Sequence, residues 1–186
     1  MELRMIYSLS LEDALLVSGG LLVAGHIPAL VAGEGTQRWL RAFPRSVNWG
    51  VFLYTGAAAW FVWLVASSDL GEFSSMRRNF LLASLAAYVL GLKYMREFLA
   101  VRALGMLALL GAEPLLEAAW MRPEVLRLWM VGLVYGWLTA GLFLVGMPYL
   151  MRDAVDWVCA GPIRWRGAAW AGLFYGLWLI GLRWML

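Results

Sequence analysis

Apolar residues run through this chain in six long stretches with little between them: residues 14–33, 47–67, 80–94, 98–121, 126–151 and 167–184. None shows the period-two alternation of a half-buried strand. A helix needs about 20 apolar residues to cross the roughly 30 Å hydrocarbon core of a bilayer, and inside lipid only helices and closed barrels satisfy their own backbone groups. The pattern therefore predicts an all-α, polytopic integral membrane bundle of about six transmembrane helices with short loops, residues 1–186 forming one transmembrane domain. The 80–94 stretch is short for a crossing, and Lys93, Arg96 and Arg102 follow it closely. A tight hairpin at 93–97 between two crossings fits this better than a re-entrant segment, since 98–110 is again apolar apart from Arg102, and an arginine near a helix end can extend to the headgroups.

Local signals mark the starts and interruptions of these helices. Ser10-Leu11-Glu12-Asp13 reads as a helix start, with Ser10 as cap and two acids at the positive end of the dipole. The acids and the length of the run argue against a cleavable signal peptide, so the first span is expected to be retained. Pro28 should kink the first helix and free the carbonyl of Ala24. The last two spans share the pattern GL-x-YG-x4-GL, at Gly132, Gly136 and Gly141 and again 40 residues later at Gly172, Gly176 and Gly181. Each copy holds Gly-x-x-x-Gly, which lets helix backbones approach closely, so these six glycines are expected at helix–helix contacts, on each other or on a partner, with Gly20, Ala24 and Gly56 as further small positions.

Two connections have a character of their own. In 34–46, Arg38, Arg41 and Arg45 recur at helical spacing around Trp39, Leu40 and Phe43, which predicts a short amphipathic helix on the membrane surface. In 151–165, Arg152 and Asp156 form an i, i+4 pair beside Trp157, and Gly161-Pro162 breaks the segment before Arg164-Trp165-Arg166. Arg38, Arg41, Arg45, Trp157, Arg164, Trp165 and Arg166 are read as interfacial anchors, in keeping with twelve tryptophans, many near predicted helix ends. The more central Trp60, Trp63, Trp137 and Trp178 are assigned to packing or lipid contact.

Composition reinforces the class. The chain is 63% hydrophobic and 15% charged, with mean hydropathy +0.73, against about 25% charged for soluble domains. The net charge of +3 points to membrane topology and anionic lipid rather than nucleic acid. Arg38, Arg41, Arg45, Lys93, Arg96, Arg102, Arg152, Arg164 and Arg166 fall on one side of a six-span layout, and Arg4, Arg77, Arg78, Arg122, Arg127 and Arg183 on the other. The richer side is expected in the cytoplasm, with both termini outside, in a bacterial inner membrane.

Chemistry is sought among polar groups within apolar helices, where they are costly and often functional. One cysteine, Cys159, and one histidine, His26, rule out an internal disulfide and two-histidine haem ligation within one chain. His26, next to the expected kink, can serve a proton, an ion or the magnesium of a chlorin, or simply bond across the bundle. Arg102 and Glu113 share a face of the fourth span about 16 Å apart, at roughly 1.5 Å rise per residue. Glu113 and Glu117 flank Pro114 one turn apart, and two neighbouring carboxylates can share a proton. Alternatively, Pro114 opens an interfacial helix and both acids lie in water. No P-loop, HExxH, GxSxG, paired-histidine or Asp-rich phosphate motif occurs.

These features lead to three expectations. The first is a non-enzymatic subunit or assembly component of a larger membrane complex, whose partners are the lipid bilayer and other membrane subunits or further copies of itself. The second is a small homo-oligomeric transporter or channel using His26, Arg102, Glu113 and Glu117. The third is a protein holding a chlorin or quinone at His26; the first two require no cofactor.

Overall fold

A computed structural model describes residues 7–185. Among these residues all regular structure is helical: α1 Leu11–Val31, α2 Gly33–Ala42, α3 Val47–Ser67, α4 Arg77–Tyr94, α5 Leu99–Ala119, α6 Arg127–Gly146, α7 Tyr149–Cys159 and α8 Pro162–Leu182, with 3-10 turns at Phe43–Arg45, Gly71–Met76 and Arg183–Met185. Arg4, counted above on the terminal side, lies outside the described residues. Four helices, α1, α3, α5 and α6, are long and apolar enough to cross a membrane. The expectation of about six is not met on that criterion, because α4 carries Arg77, Arg78 and Lys93 and α8 carries Arg164 and Arg166 near its start.

The element boundaries follow local chemistry. Ser10 caps α1 as expected, its Oγ accepting from Asp13 N at 3.1 Å. Ser46 caps α3 in the same way through Trp49 N, at 3.4 Å. A short turn follows α4: Tyr94 ends one helix and Phe98, at φ 56°, precedes the next. The apolar stretch 126–151 is not one helix. It ends at Gly146 and resumes as α7 after Met147-Pro148; Pro148 cannot donate to a continuing ladder, although its neighbours stay apolar. Pro28 and Pro114, in contrast, lie inside continuous helices.

Two tightly packed antiparallel pairs organise the molecule. In the first, α1 runs beside α8 from Glu12 and Arg183, 3.8 Å apart, to Trp165, whose Nε1 donates to Ala29 O at 2.9 Å. In the second, α5 runs beside α6. Small residues let two helix backbones approach to close van der Waals fit. Glycine supplies that fit: a Cβ on Gly19 would come within 2.6 Å of Gly176 O, and one on Gly105 within 2.8 Å of Gly141 O. The pairs join at the end of the molecule nearest the chain termini, where Leu15, Met130, Val134, Leu179 and Leu182 are fully buried around Ala112, Ala118 and Ala119. Helix α3 lies parallel to α5, with Gly50 against Ala100 N, and α4 packs antiparallel on α3, where the Tyr54 hydroxyl donates to Ala87 O at 3.1 Å and Tyr54 stacks on Tyr88.

The glycine repeat is not a repeated contact. Gly141, Gly172 and Gly176 sit at helix crossings, whereas a Cβ on Gly132, Gly136 or Gly181 would meet nothing within 4 Å. Gly20 and Gly56 are equally open, and the contact in α1 is made by Gly19. The two repeat copies use different members because α6 is paired with α5 and α8 with α1, each at its own rotation.

Arginines finish several helices. The last carbonyls of a helix lack intrahelical donors and carry the negative end of its dipole. Arg102 Nη1 donates to Val145 O at the end of α6 (3.1 Å), Arg127 Nη1 to Ala119 O at the end of α5 (2.6 Å), and Arg77 to Ala66 O and Ser68 O at the end of α3 (3.0 and 2.7 Å). Arg41 and Arg164 do the same for α7, at Cys159 O and Trp157 O.

Candidate functional site

At the end opposite the termini, the second halves of α1 and the first turns of α8 enclose a groove of about 680 Å³, covered by α2. Its walls are small and apolar, with Ala24, Gly25 and Ala29 on one side and Ala168 and Ala169 on the other; Trp39 and Thr36 reach in from α2. The chain folds this way because α1 ends at Val31 and α2 turns back over it. Pro28 O then takes two donors, Ala32 N at 2.9 Å and Thr36 Oγ1 at 2.8 Å.

His26 is the groove's only titratable side chain among the described residues. Its Nδ1 lies 2.7 Å from Leu22 O. A carbonyl can only accept, so Nδ1 is the donor in this contact. A Cβ on Gly172 would fall onto the imidazole, about equally close to Nε2, Cδ2 and Cε1. The distal edge of the ring, with Nε2 nearest, therefore lies over Gly172, where only glycine leaves room for it. No described residue hydrogen-bonds Nε2. Beside it in the chain, Ala24 O loses its usual helical donor because position 28 is proline.

Glu113 and Glu117 are elsewhere, at the terminal end of α5. The helix is unbroken through Pro114, so Pro114 does not open a separate interfacial helix as one reading supposed. Glu113 is exposed on the helix surface and Glu117 half-buried. Glu117 Oε2 accepts from Tyr7 N at 3.4 Å, and the Tyr7 phenol accepts from Trp60 Nε1 at 2.7 Å and packs on Trp63. Burial pushes the Tyr7 phenol above its ordinary pKa of 10.0; the bond from Trp60 opposes this, and the charges of Glu113 and Glu117 add to it. Arg102 is at the opposite end of α5, engaged with α6. The four residues read from sequence as one pathway therefore occupy three separate places.

The anchor set is divided as well. Trp157 is 61% exposed, with the Arg164 guanidinium 4.7 Å from its ring centre. Trp165, expected at the lipid interface, is turned inward and only 7% exposed. Arg152 pairs with Asp153 at 2.8 Å rather than with Asp156, which faces Arg41 of α2 at 3.7 Å. Arg38 turns back to Glu34 O on its own helix, Arg45 borders a small polar cleft with Arg41 and Arg152, and Arg166 is exposed. Sequence reasoning missed Gly19 and Gly105 as contact glycines and Trp165 as a groove wall. Only knowledge of which helices pair reveals those roles. Compared with known proteins, the chain matches no family model, no curated protein and no solved structure.

Proposed function

We propose that this is a six-crossing, multi-pass protein of a bacterial inner membrane that serves as a non-enzymatic subunit of a larger membrane complex. Six crossings are supported by how the charged helices lie. Helix α8 accompanies α1 from end to end, so a bilayer crossed by α1 is crossed by α8. Its 21 residues extend about 31 Å at roughly 1.5 Å per residue. Helix α4 likewise follows α3 from Arg77 at Ala66 O to Gly91 at Tyr54. The basic surplus at the α2–α7 end favours placing that end in the cytoplasm.

The observation that carries the subunit reading is the outer face of α6. Gly141 is spent on α5, but Gly132, Gly136 and Ala140, one turn apart, are all exposed, and no described atom lies within 4 Å of a Cβ placed on either glycine. Small residues at four-residue spacing on a lipid-facing helix are the feature through which transmembrane helices pair. The occupant of this face is a transmembrane helix of another subunit. Gentle-detergent extraction from native membranes, followed by native mass measurement, tests this. Co-migration with a different polypeptide in fixed ratio supports the reading, and a lone chain or homo-oligomer overturns it in favour of the transporter reading.

A further inference from the structure

We infer that the cleft between α2, the turn that follows it, α7 and the start of α5 binds the phosphate of one anionic phospholipid, with Arg45 as its main ligand. The site is independent of the subunit reading. It requires only that α3, α5 and α6 lie in a membrane, for which they are long and apolar enough. The cleft holds about 210 Å³, and Arg41, Arg45 and Arg152 line it beside a single acid, Asp156. Local structure brings these arginines together. The turn Phe43–Arg45 buries Phe43 and Pro44 and leaves Arg45 exposed at its end. Arg41 reaches Cys159 O and Asp156, which sets α7 against α2, and Arg152 lies one turn before Asp156 on α7. Two of the three guanidiniums have a carboxylate: Arg41 is 3.7 Å from Asp156 and Arg152 is 2.8 Å from Asp153. The Arg45 side chain has neither an ion pair nor a hydrogen bond to a described residue. Its planar fork of donors matches the oxygens of a phosphate.

Depth selects the source of that phosphate. Helix α3 begins at Val47 just after Arg45, α5 begins at Leu99 just after Phe98 of the cleft wall, and α6 ends at Gly146 shortly before Arg152. With these helices in a bilayer, the cleft sits at headgroup level, where basic pockets between helices hold phospholipid heads. Val47 and Val51 of α3 and Leu150 of α7, close to the arginines in the chain, are exposed apolar side chains that give acyl chains a surface. The cleft is smaller than the roughly 300–1,000 Å³ of a pocket that encloses a whole small molecule, so it takes the head and leaves the chains outside. A positive charge remains in excess even with Asp153 and Asp156 counted. A choline head brings its own cation and leaves that excess uncompensated, whereas an anionic head neutralises it. Free phosphate carries the same oxygens but lacks the chains that keep it at this depth.

The test titrates the full chain in detergent micelles with dioleoylphosphatidylglycerol, with dioleoylphosphatidylcholine and with glycerol phosphate, and counts bound molecules by native mass spectrometry. One phosphatidylglycerol is expected to stay bound when collisional activation strips the rest, and the same lipid should raise the melting temperature. Arg45→Gln should lower the retained fraction about tenfold, the scale of one charge-assisted hydrogen bond. Arg166→Gln removes the same charge from the same end of the molecule, at an exposed position outside the cleft, and should leave retention unchanged. Without lipid, Arg45→Gln should melt with the parent protein, since Arg45 has no internal bond to lose. No retained phosphatidylglycerol, equal retention of phosphatidylcholine, equal loss in the two arginine variants, displacement of the lipid by equimolar glycerol phosphate, or a lower lipid-free melting temperature for Arg45→Gln would each overturn the inference.

Discussion

Whether a glycine in this chain is indispensable depends on its direction, not on its motif. Gly105 and Gly176 face backbone carbonyls across a helix crossing. Leucine at either should separate a pair and cost at least the roughly 1–3 kcal/mol of an overpacked core, visible as a lower detergent melting temperature. Gly136→Ala should instead leave the isolated protein as stable or raise its stability by roughly 0.5–1 kcal/mol, since alanine is the better helix former. The sequence displayed all these glycines equally, and the repeat at Gly132 and Gly172 suggested equivalent roles. Nothing local to the motif encodes helix rotation, so the sequence does not tell which of these glycines meet a helix of the same chain: Gly141, Gly172 and Gly176 do, and Gly132, Gly136 and Gly181 do not. Tyr7 supports a second prediction at this scale. Its phenol titrates above 10.0 in the folded protein because burial disfavours the tyrosinate. The stabilisation from docking neutral Tyr7 on Trp60 is therefore complete below pH 10 and lost as pH rises through the higher folded value. Alkaline difference absorbance should show a late-titrating fraction that falls by one tyrosine in Tyr7→Phe; a Tyr7 that titrates with the exposed tyrosines would contradict this.

Helices here are closed at their ends by side chains from other helices. Arg102, which sequence reasoning placed on a charge pathway, supplies a donor to Val145 at the end of α6. Arg102→Met should cost about 1 kcal/mol by leaving a part-buried carbonyl without its charged donor, with partial recovery in Arg102→Lys; equal stability of all three forms in thermal unfolding would count against the role. Element existence was legible from apolar runs, and α3 at Val47–Ser67 matches its stretch residue for residue. Prolines were legible only in part. Pro114 and Pro28 are accommodated inside helices, whereas Pro148 ends one. Hydropathy does not record which prolines a helix absorbs and which one ends it. The amphipathic α2 was readable from its arginine spacing, but its role as the cover of a groove was not, since that groove is built from residues more than 100 positions apart.

The whole molecule is two glycine-fitted pairs with α3 and α4 added along one flank. The start of α1, the end of α8 and the Tyr7–Glu117 contact lie at one end, and α2, α7 and Cys159 at the other. A six-crossing layout predicts that the single cysteine, Cys159, is labelled by a membrane-impermeant maleimide only from the face opposite a cysteine introduced at Gly71 in a Cys159→Ser background. Labelling of both from the same face would remove at least one crossing from the account. The most direct test of its central claim is a photo-cross-linking residue at position 136 of α6, irradiated in native membranes. The account predicts an adduct with a different membrane polypeptide from position 136, and only internal cross-links to α5 from position 141. Adducts with lipid alone at position 136 would contradict the claim that this face meets a partner.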